Sequence, residues 1–231
     1  FAHTFSNDRV TAKINLFKVD KETGKAVPQG DATLKGAVYG LYAREDIVHP
    51  DGATGTIYKA GEQVASLTTD DKGQASVNGL YLGKYYIKEI TPPTGYLADA
   101  EEHDLTCSYE GDMTAEVKRE CTSSEQVIKQ PFQIIKAANN GKTDADLLSG
   151  AGFTVYLKSS LTKKADGSYD FDSAKPVVSG ENGATEIFTD EKGYACSIPL
   201  PFGSYIVRET TTPHNLSLIH ISEPTRQEAI S

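Results

Sequence analysis

Lys18 and Glu89 are the residues best placed for chemistry, because each stands where strand alternation calls for an apolar side chain. In KINLFKVD, Lys13 to Asp20, the period of two puts Ile14, Leu16 and Lys18 on one face. In YYIKEITPPTGY, Tyr85 to Tyr96, a strand over Tyr85 to Ile90 gathers Tyr85, Ile87 and Glu89 on one face, with Tyr86, Lys88 and Ile90 opposite. A charge on an apolar face must be paired or neutralised. Desolvation lowers an amine's pKa and raises a carboxyl's. A neutral amine is a nucleophile, and a protonated carboxylic acid beside it polarises a carbonyl and relays protons. The missing part is an electrophile, an Asn or Asp side chain on a neighbouring strand. With one, the fold would build its own isopeptide cross-link.

These strands recur. FQIIK, Phe132 to Lys136, again sets Phe132, Ile134 and Lys136 on one face. LSGAGFTVY (148–156) matches LKGAVYGLY (34–42), FTDEKGYA (188–195) matches TTDDKGQA (68–75), and GSYIVRETTTP (203–213) matches GKYYIKEITPP (83–93). The lysine-to-glutamate separation is 71 residues in the first copy (89 − 18) and 73 in the second (209 − 136). Lys136 and Glu209 therefore repeat the Lys18 and Glu89 pair.

The elements that must position these pairs read as short strands. Twenty Gly, ten Pro and twelve Tyr in 231 residues, with no Trp, fit strands joined by tight turns. A hydrophobic share of 38% suits two modest cores better than one large one. Ile57 to Tyr96 reads as a meander, and HDLTCSY and TAEVKREC, split by Glu-Gly-Asp, read as a hairpin followed by a further strand in SSEQVIKQP. REDIVHPDGATG (44–55) reads as an exposed loop, and DGSYDFD, Asp166 to Asp172, as a solvated hairpin tip without the spacing of a calcium loop.

A net charge of −9 with scattered lysines argues against a nucleic-acid partner. His3, His49, His103, His214 and His220 fall in loops or separate units and form no nucleophile or zinc motif, so catalysis on a diffusible substrate is not expected. No cofactor and no metal site is expected. Cys107, Cys121 and Cys196 have no metal-ligand spacing and read as small strand residues, with a Cys107 to Cys121 bridge left open. No apolar run is long enough to span a membrane, and the sequence reads as an interior fragment without signal peptide.

With YYIKEITPPTGY, FKVDKETG, LKGAVYGLY and TTDDKG in view, the chain resembles the Cna protein B-type, SpaA-like or prealbumin-like, domains of Gram-positive pilins and adhesins. The resemblance covers residues 12 to about 213 and is collinear but weaker in the second copy. It implies an all-β fold of tandem β-sandwich domains, each of about seven strands in a reversed immunoglobulin-like topology. It also implies an extracellular stalk role at the bacterial cell wall, sortase attachment, neighbouring domains as partners, and an intramolecular Lys-to-Asn bond assisted by Glu or Asp.

Carried over by position, Lys18 and Lys136 match the family's first-strand lysine, and Glu89 and Glu209 match the acid of its E-box. The acceptor belongs to the last strand, where the junctions SNDRVTAKINLFK and SEQVIKQPFQIIK align Asn7 with Glu125. Asn7 would then serve an upstream domain, Glu125 would stand in the acceptor place of the first domain, and the acceptor of the second would lie beyond the chain. Glu125 is one methylene longer than Asp and has no amide leaving group, so a condensed amide and a Lys18–glutamate ion pair both stay open. The expected division is residues 1–11 as the last strand of an upstream domain, 12–131 and 132–215 as two domains, and 216–231 as non-native. Leu216 to Arg226 resembles a translation of a transposase adapter used in sequencing libraries. A binding module contacting a host protein or glycan through the 44–55 loop or the 166–172 tip, and an accessory sandwich of an extracellular enzyme, are the alternatives to a stalk.

Overall fold

The computed structural model describes residues 8–138 and 146–213, with the backbone of 225–226. The chain divides into two units, Phe1–Pro28 with Ala32–Val127, and Gln29–Asp31 with Ile128–Ser231.

Unit 1 begins with β1 (Thr11–Asp20), whose burial alternates so that Ala12, Ile14, Leu16, Lys18 and Asp20 all face inward. Then come β2 (Val38–Ala43), β3 (Ile47–Val48), β4 (Thr56–Tyr58), β5 (Gln63–Thr68), β6 (Gln74–Leu80), β7 (Gly83–Thr91), β8 (Glu102–Cys107) and β9 (Glu116–Glu125). Two sheets result, one ordered β6-β1-β9 and the other β5-β2-β7-β8, with β3 and β4 forming a separate ribbon. The seven strands of the two sheets make the sandwich expected. Its core includes Ile14, Leu16, Tyr39, Leu41, Tyr85, Ile87 and Val117. Fully burying a side chain of this size contributes about 1.5–3 kcal/mol.

The meander and hairpin readings are corrected by this topology. β5 pairs with β2 and the next strand, β6, pairs with β1, so consecutive strands cross between sheets. β8 pairs with β7, whereas β9 runs parallel to β1 and continues to Glu125, absorbing the strand expected at SSEQ. The physical reason is the inward alternation of β9. Val117, Cys121, Ser123 and Glu125 are buried, which requires a place opposite the other sheet rather than an edge beside β8.

Unit 2 holds β10 (Lys129–Gln130), β11 (Gln133–Ile135), β12 (Gly152–Leu157), β13 (Glu186–Phe188), β14 (Tyr194–Cys196), β15 (Leu200–Pro201), β16 (Ser204–Thr211) and β17 (Thr225–Arg226). Its order β13-β12-β16-β17 reproduces β5-β2-β7-β8, and its pair β11-β14 reproduces β1-β6. Among the described residues, no strand lies beside β11 in the place that β9 takes beside β1. Residues 216–231 fall outside the described residues except for the β17 backbone.

One glycine in each unit fixes the approach to the lysine strand. Gly73 has φ +72°, and a Cβ there would sit 2.8 Å from the Lys18 carbonyl oxygen; Gly193 has φ +75° and the same 2.8 Å approach to the Lys136 carbonyl. The Lys18 N–H donates to Gly73 O, and the Lys136 N–H donates to Gly193 O, both at 2.8 Å. The TTDDKG and FTDEKG turns thus press the backbone of each lysine against a residue that has no side chain.

Candidate functional site

Lys18, Glu89 and Glu125 come together in the core of unit 1. β1 brings Lys18 and β9 brings Glu125 from one sheet, with Lys18 beside Ser123 and Asp20 beside Glu125 in the parallel register. β7 brings Glu89 and β2 brings Tyr39 from the other sheet, where the two are direct partners across the strands. Lys18 is fully buried and the Glu89 and Glu125 side chains are each 1% exposed. Lys18 Nζ donates to Tyr39 Oη at 3.1 Å and to Glu89 Oε1 at 3.2 Å, and it touches Glu125 Oε1 directly. The Tyr39 and Tyr96 rings stand 5.6 Å and 5.8 Å from the ammonium.

The carboxylates are held from behind. The Asp99 N–H donates to Glu89 Oε2 at 2.9 Å. Tyr39 Oη donates to Glu125 Oε1 at 2.7 Å, and Ser123 Oγ donates to the same oxygen at 3.2 Å. Burial, reinforced by a hydrogen bond with Glu125 and by its charge, pushes Glu89 up to about 7 against the lowering effects of the Asp99 N–H and Lys18. Glu89 is therefore the carboxyl that holds a proton near neutral pH. Burial also raises Tyr39 well above the usual phenol range, so its hydroxyl stays protonated. Asp20, on the same inward face of β1, accepts from the Glu22 and Thr23 N–H groups and from Tyr96 Oη at 2.9–3.0 Å. It ties the Gly-Tyr end of the E-box to the lysine strand.

Chemically, this is an amine in contact with a carboxyl, with a second carboxyl of raised pKa beside the amine, all three side chains buried. Condensation of the Lys18 amine with the Glu125 carboxyl is within its reach.

In unit 2, Lys136 Nζ lies 2.8 Å from Glu209 Oε2. Lys136 is more open, 26% exposed, and Glu209 Oε1 is buried without a hydrogen-bond partner. The position of Tyr39 is taken by Phe153, which pairs with Glu209 across β12 and β16 as Tyr39 pairs with Glu89. Asn7, the expected acceptor for an upstream domain, lies outside the described residues, as do His3, His214 and His220.

Tyr39, Ser123 and Asp20 were missed in the sequence reading. Two signals could have found them. Asp20 and Ser123 stand two residues from Lys18 and Glu125 on the same inward faces, and the repeat aligns Tyr39 with a phenylalanine, isolating its hydroxyl as the difference. Asp99, Glu101 and His103 also bring one ligand atom each within 4.8 Å of one another just after the E-box turn.

The other sequence candidates resolve into structural roles. Cys107 and Cys121 are buried and unbridged, and Cys196 is exposed. Asp51 accepts from the Ala53 and Thr54 N–H groups, and Asp166 and Asp170 accept from Ser168, Asp172 and Ser173, so these carboxylates are engaged in their own turns. Among the described residues, no helix is long and apolar enough to cross a membrane.

The comparisons agree with the fold. A family model for the SpaA prealbumin-like fold domain matches residues 12–120 and 131–222. The Bacillus anthracis TIE protein is similar in structure at TM-score 0.58 and 22% identity, over 94% of this chain and 31% of that one. This chain thus spans about a third of that protein. A Streptococcal ancillary pilin (TM-score 0.36, 20% identity, 97% of this chain and 60% of that one) and the shaft pilin SpaA of Lactobacillus rhamnosus GG (TM-score 0.32, 19% identity, 94% and 92%) are more distant. No curated protein matches the chain. With the family model covering both copies of the repeat, the chain belongs to the SpaA family of prealbumin-like fold domains.

Proposed function

We propose that the chain is a stalk segment of an extracellular, cell-wall-anchored pilin or adhesin of a Gram-positive bacterium, and that its first domain is closed by an isopeptide bond between Lys18 and Glu125. The observation that carries this reading is the buried contact of the Lys18 amine with the Glu125 carboxyl beside a Glu89 that retains its proton near pH 7. A stalk transmits force along its chain, and β1 and β9 are the first and last strands of unit 1, paired in parallel over residues 11–20 and 116–125. A covalent tie between them lets tension pass without unfolding the residues between.

The step balances without a co-reactant. Lys18 passes a proton to the Glu125 carboxyl, the neutral amine attacks Cδ, and Glu89 protonates the departing oxygen and takes back the proton that the attacking nitrogen sheds. One C–N bond forms, one C–O bond breaks and one water leaves. Holding the groups in contact supplies the proximity that a bimolecular amide synthesis in water lacks. Glu209 and Lys136 would play the same parts in the second domain with an acceptor supplied from further along the protein, and Asn7 would serve the domain before. Neighbouring domains are then the principal partners, with sortase attachment made elsewhere in the protein.

Intact mass of the purified chain tests the bond. A mass lower than the sequence mass by one water, absent in Lys18→Ala, supports it; an unchanged mass leaves the cluster as an ion pair. Domain boundaries at 12–131 and 132–215, with 216–231 non-native, belong to the same proposal and are tested by the coding sequence of the native locus.

A second reading has one observation in its favour. The 44–55 loop contributes Val48 and Pro50 to a cleft of about 200 Å³ that also includes Arg9, Tyr81 and Tyr109, with the Arg9 guanidinium 3.9 Å above the Tyr81 ring. An aromatic cleft of this kind suits a host glycan or peptide. Glycan-array binding that is lost in Tyr81→Ala would favour it.

A further inference from the structure

Tyr39 is the group in this core that the general lysine–acid–acceptor scheme leaves unused. It is fully buried, and its hydroxyl touches both partners of the condensation: it accepts from Lys18 Nζ at 3.1 Å and donates to Glu125 Oε1 at 2.7 Å. Ser123 Oγ, 3.0 Å from the same hydroxyl, donates to the same carboxyl oxygen at 3.2 Å. The two hydroxyls mark Oε1 as the oxygen that stays, and leave Oε2, which has no hydrogen-bond partner before reaction, as the one open to take the Glu89 proton and depart. In unit 2 the equivalent residue is Phe153 on the same side of the same glutamate, so the hydroxyl belongs to the domain that presents a glutamate as acceptor.

Resting on the condensation proposed above, we infer that Tyr39 is a catalytic residue of the Lys18–Glu125 reaction, donating a hydrogen bond to Glu125 Oε1 as that oxygen takes up negative charge in the tetrahedral intermediate. A carboxylic acid is a poorer electrophile than one already activated, and its carbonyl oxygen needs a donor that is in place before charge appears. A buried hydroxyl fixed between two strands meets that requirement without reorganisation. Its proton stays on Tyr39 throughout, so the atom and electron balance of the condensation is unchanged. Tyr39 also orients the Lys18 amine, placing nucleophile and electrophile on one oxygen.

The test is a time course of intact mass for the full chain made by cell-free synthesis, comparing wild type, Tyr39→Phe and a chain with difluorotyrosine at position 39. Tyr39→Phe is expected to fold, since Phe153 fills the equivalent place, and to lose water about 10²- to 10³-fold more slowly, the usual effect of deleting one oxyanion donor. Difluorotyrosine keeps the shape and donates more strongly, so its chain is expected to react faster than wild type. It decides the matter if Tyr39→Phe does not fold, because a purely structural hydroxyl would leave that rate unmoved. Equal rates in wild type and in the folded variants overturn the role of Tyr39 and leave the cross-link standing. A wild-type chain that never loses water overturns the cross-link itself, and the inference with it.

Discussion

Replacing Glu89 with Gln separates a covalent core from an ionic one. The substitution keeps the size of the side chain, and its amide oxygen can still accept from the Asp99 N–H that Glu89 Oε2 now takes at 2.9 Å. It removes the carboxyl that burial raises to about 7, and with it the proton donor for the leaving oxygen. Were Lys18 and Glu125 only an ion pair, Glu89→Gln would leave a balanced buried pair with one excess acid removed, and stability would change by roughly 1 kcal/mol. With a bond at stake the effect is larger. The closed loop spans 107 residues (125 − 18), and closing a loop of roughly 100 residues contributes about 4.7 kcal/mol in the chain-entropy model. For a domain of this size the loss corresponds to a melting temperature lower by on the order of 20 °C. The assay is intact mass with calorimetry on the same samples: Glu89→Gln should regain one water and melt far below wild type. Equal masses, with a melting temperature that barely moves, would refute the reasoning.

Three further outcomes follow from the same geometry. Because Glu89 is raised from its ordinary value of 4.5 to about 7, the folded, uncross-linked domain holds this proton more tightly than the unfolded chain. Its contribution to stability is complete below about pH 4.5 and lost as pH rises through about 7, and the rate of water loss, followed by mass spectrometry, should fall about tenfold per pH unit above that point. Gly73→Ala and Gly193→Ala should each cost on the order of 2 kcal/mol, since the left-handed backbone and the 2.8 Å approach to a lysine carbonyl both resist a Cβ; denaturant melts of the two variants check this. In thiol titration the native chain should expose Cys196 alone, with Cys107 and Cys121 reacting only on unfolding, because burial pushes the Cys121 thiol up to about 11 and raises that of Cys107.

The inward faces were legible because a strand's period of two survives in its sequence. Ile14, Leu16 and Lys18, and Tyr85, Ile87 and Glu89, lie where alternation set them. The repeat foretold that Lys136 would meet Glu209, which it does at 2.8 Å. Strand pairing was less legible. The turn at Glu110 to Asp112 looks locally like a hairpin, but partner choice is settled by which face must be buried, and β9 crosses to lie parallel to β1. Tyr39 was hidden for a different reason: a tyrosine on an apolar face reads as core, and only the cross-sheet distances reveal that its hydroxyl ends on Lys18 and Glu125.

The most direct measurement is peptide mapping of the wild-type chain after digestion, with the mass of the fragment containing Lys18 read by tandem spectrometry. A branched peptide joining the Lys18 segment to the Glu125 segment, lighter than their sum by one water, is the predicted result. Two separate linear peptides of full sequence mass would contradict it.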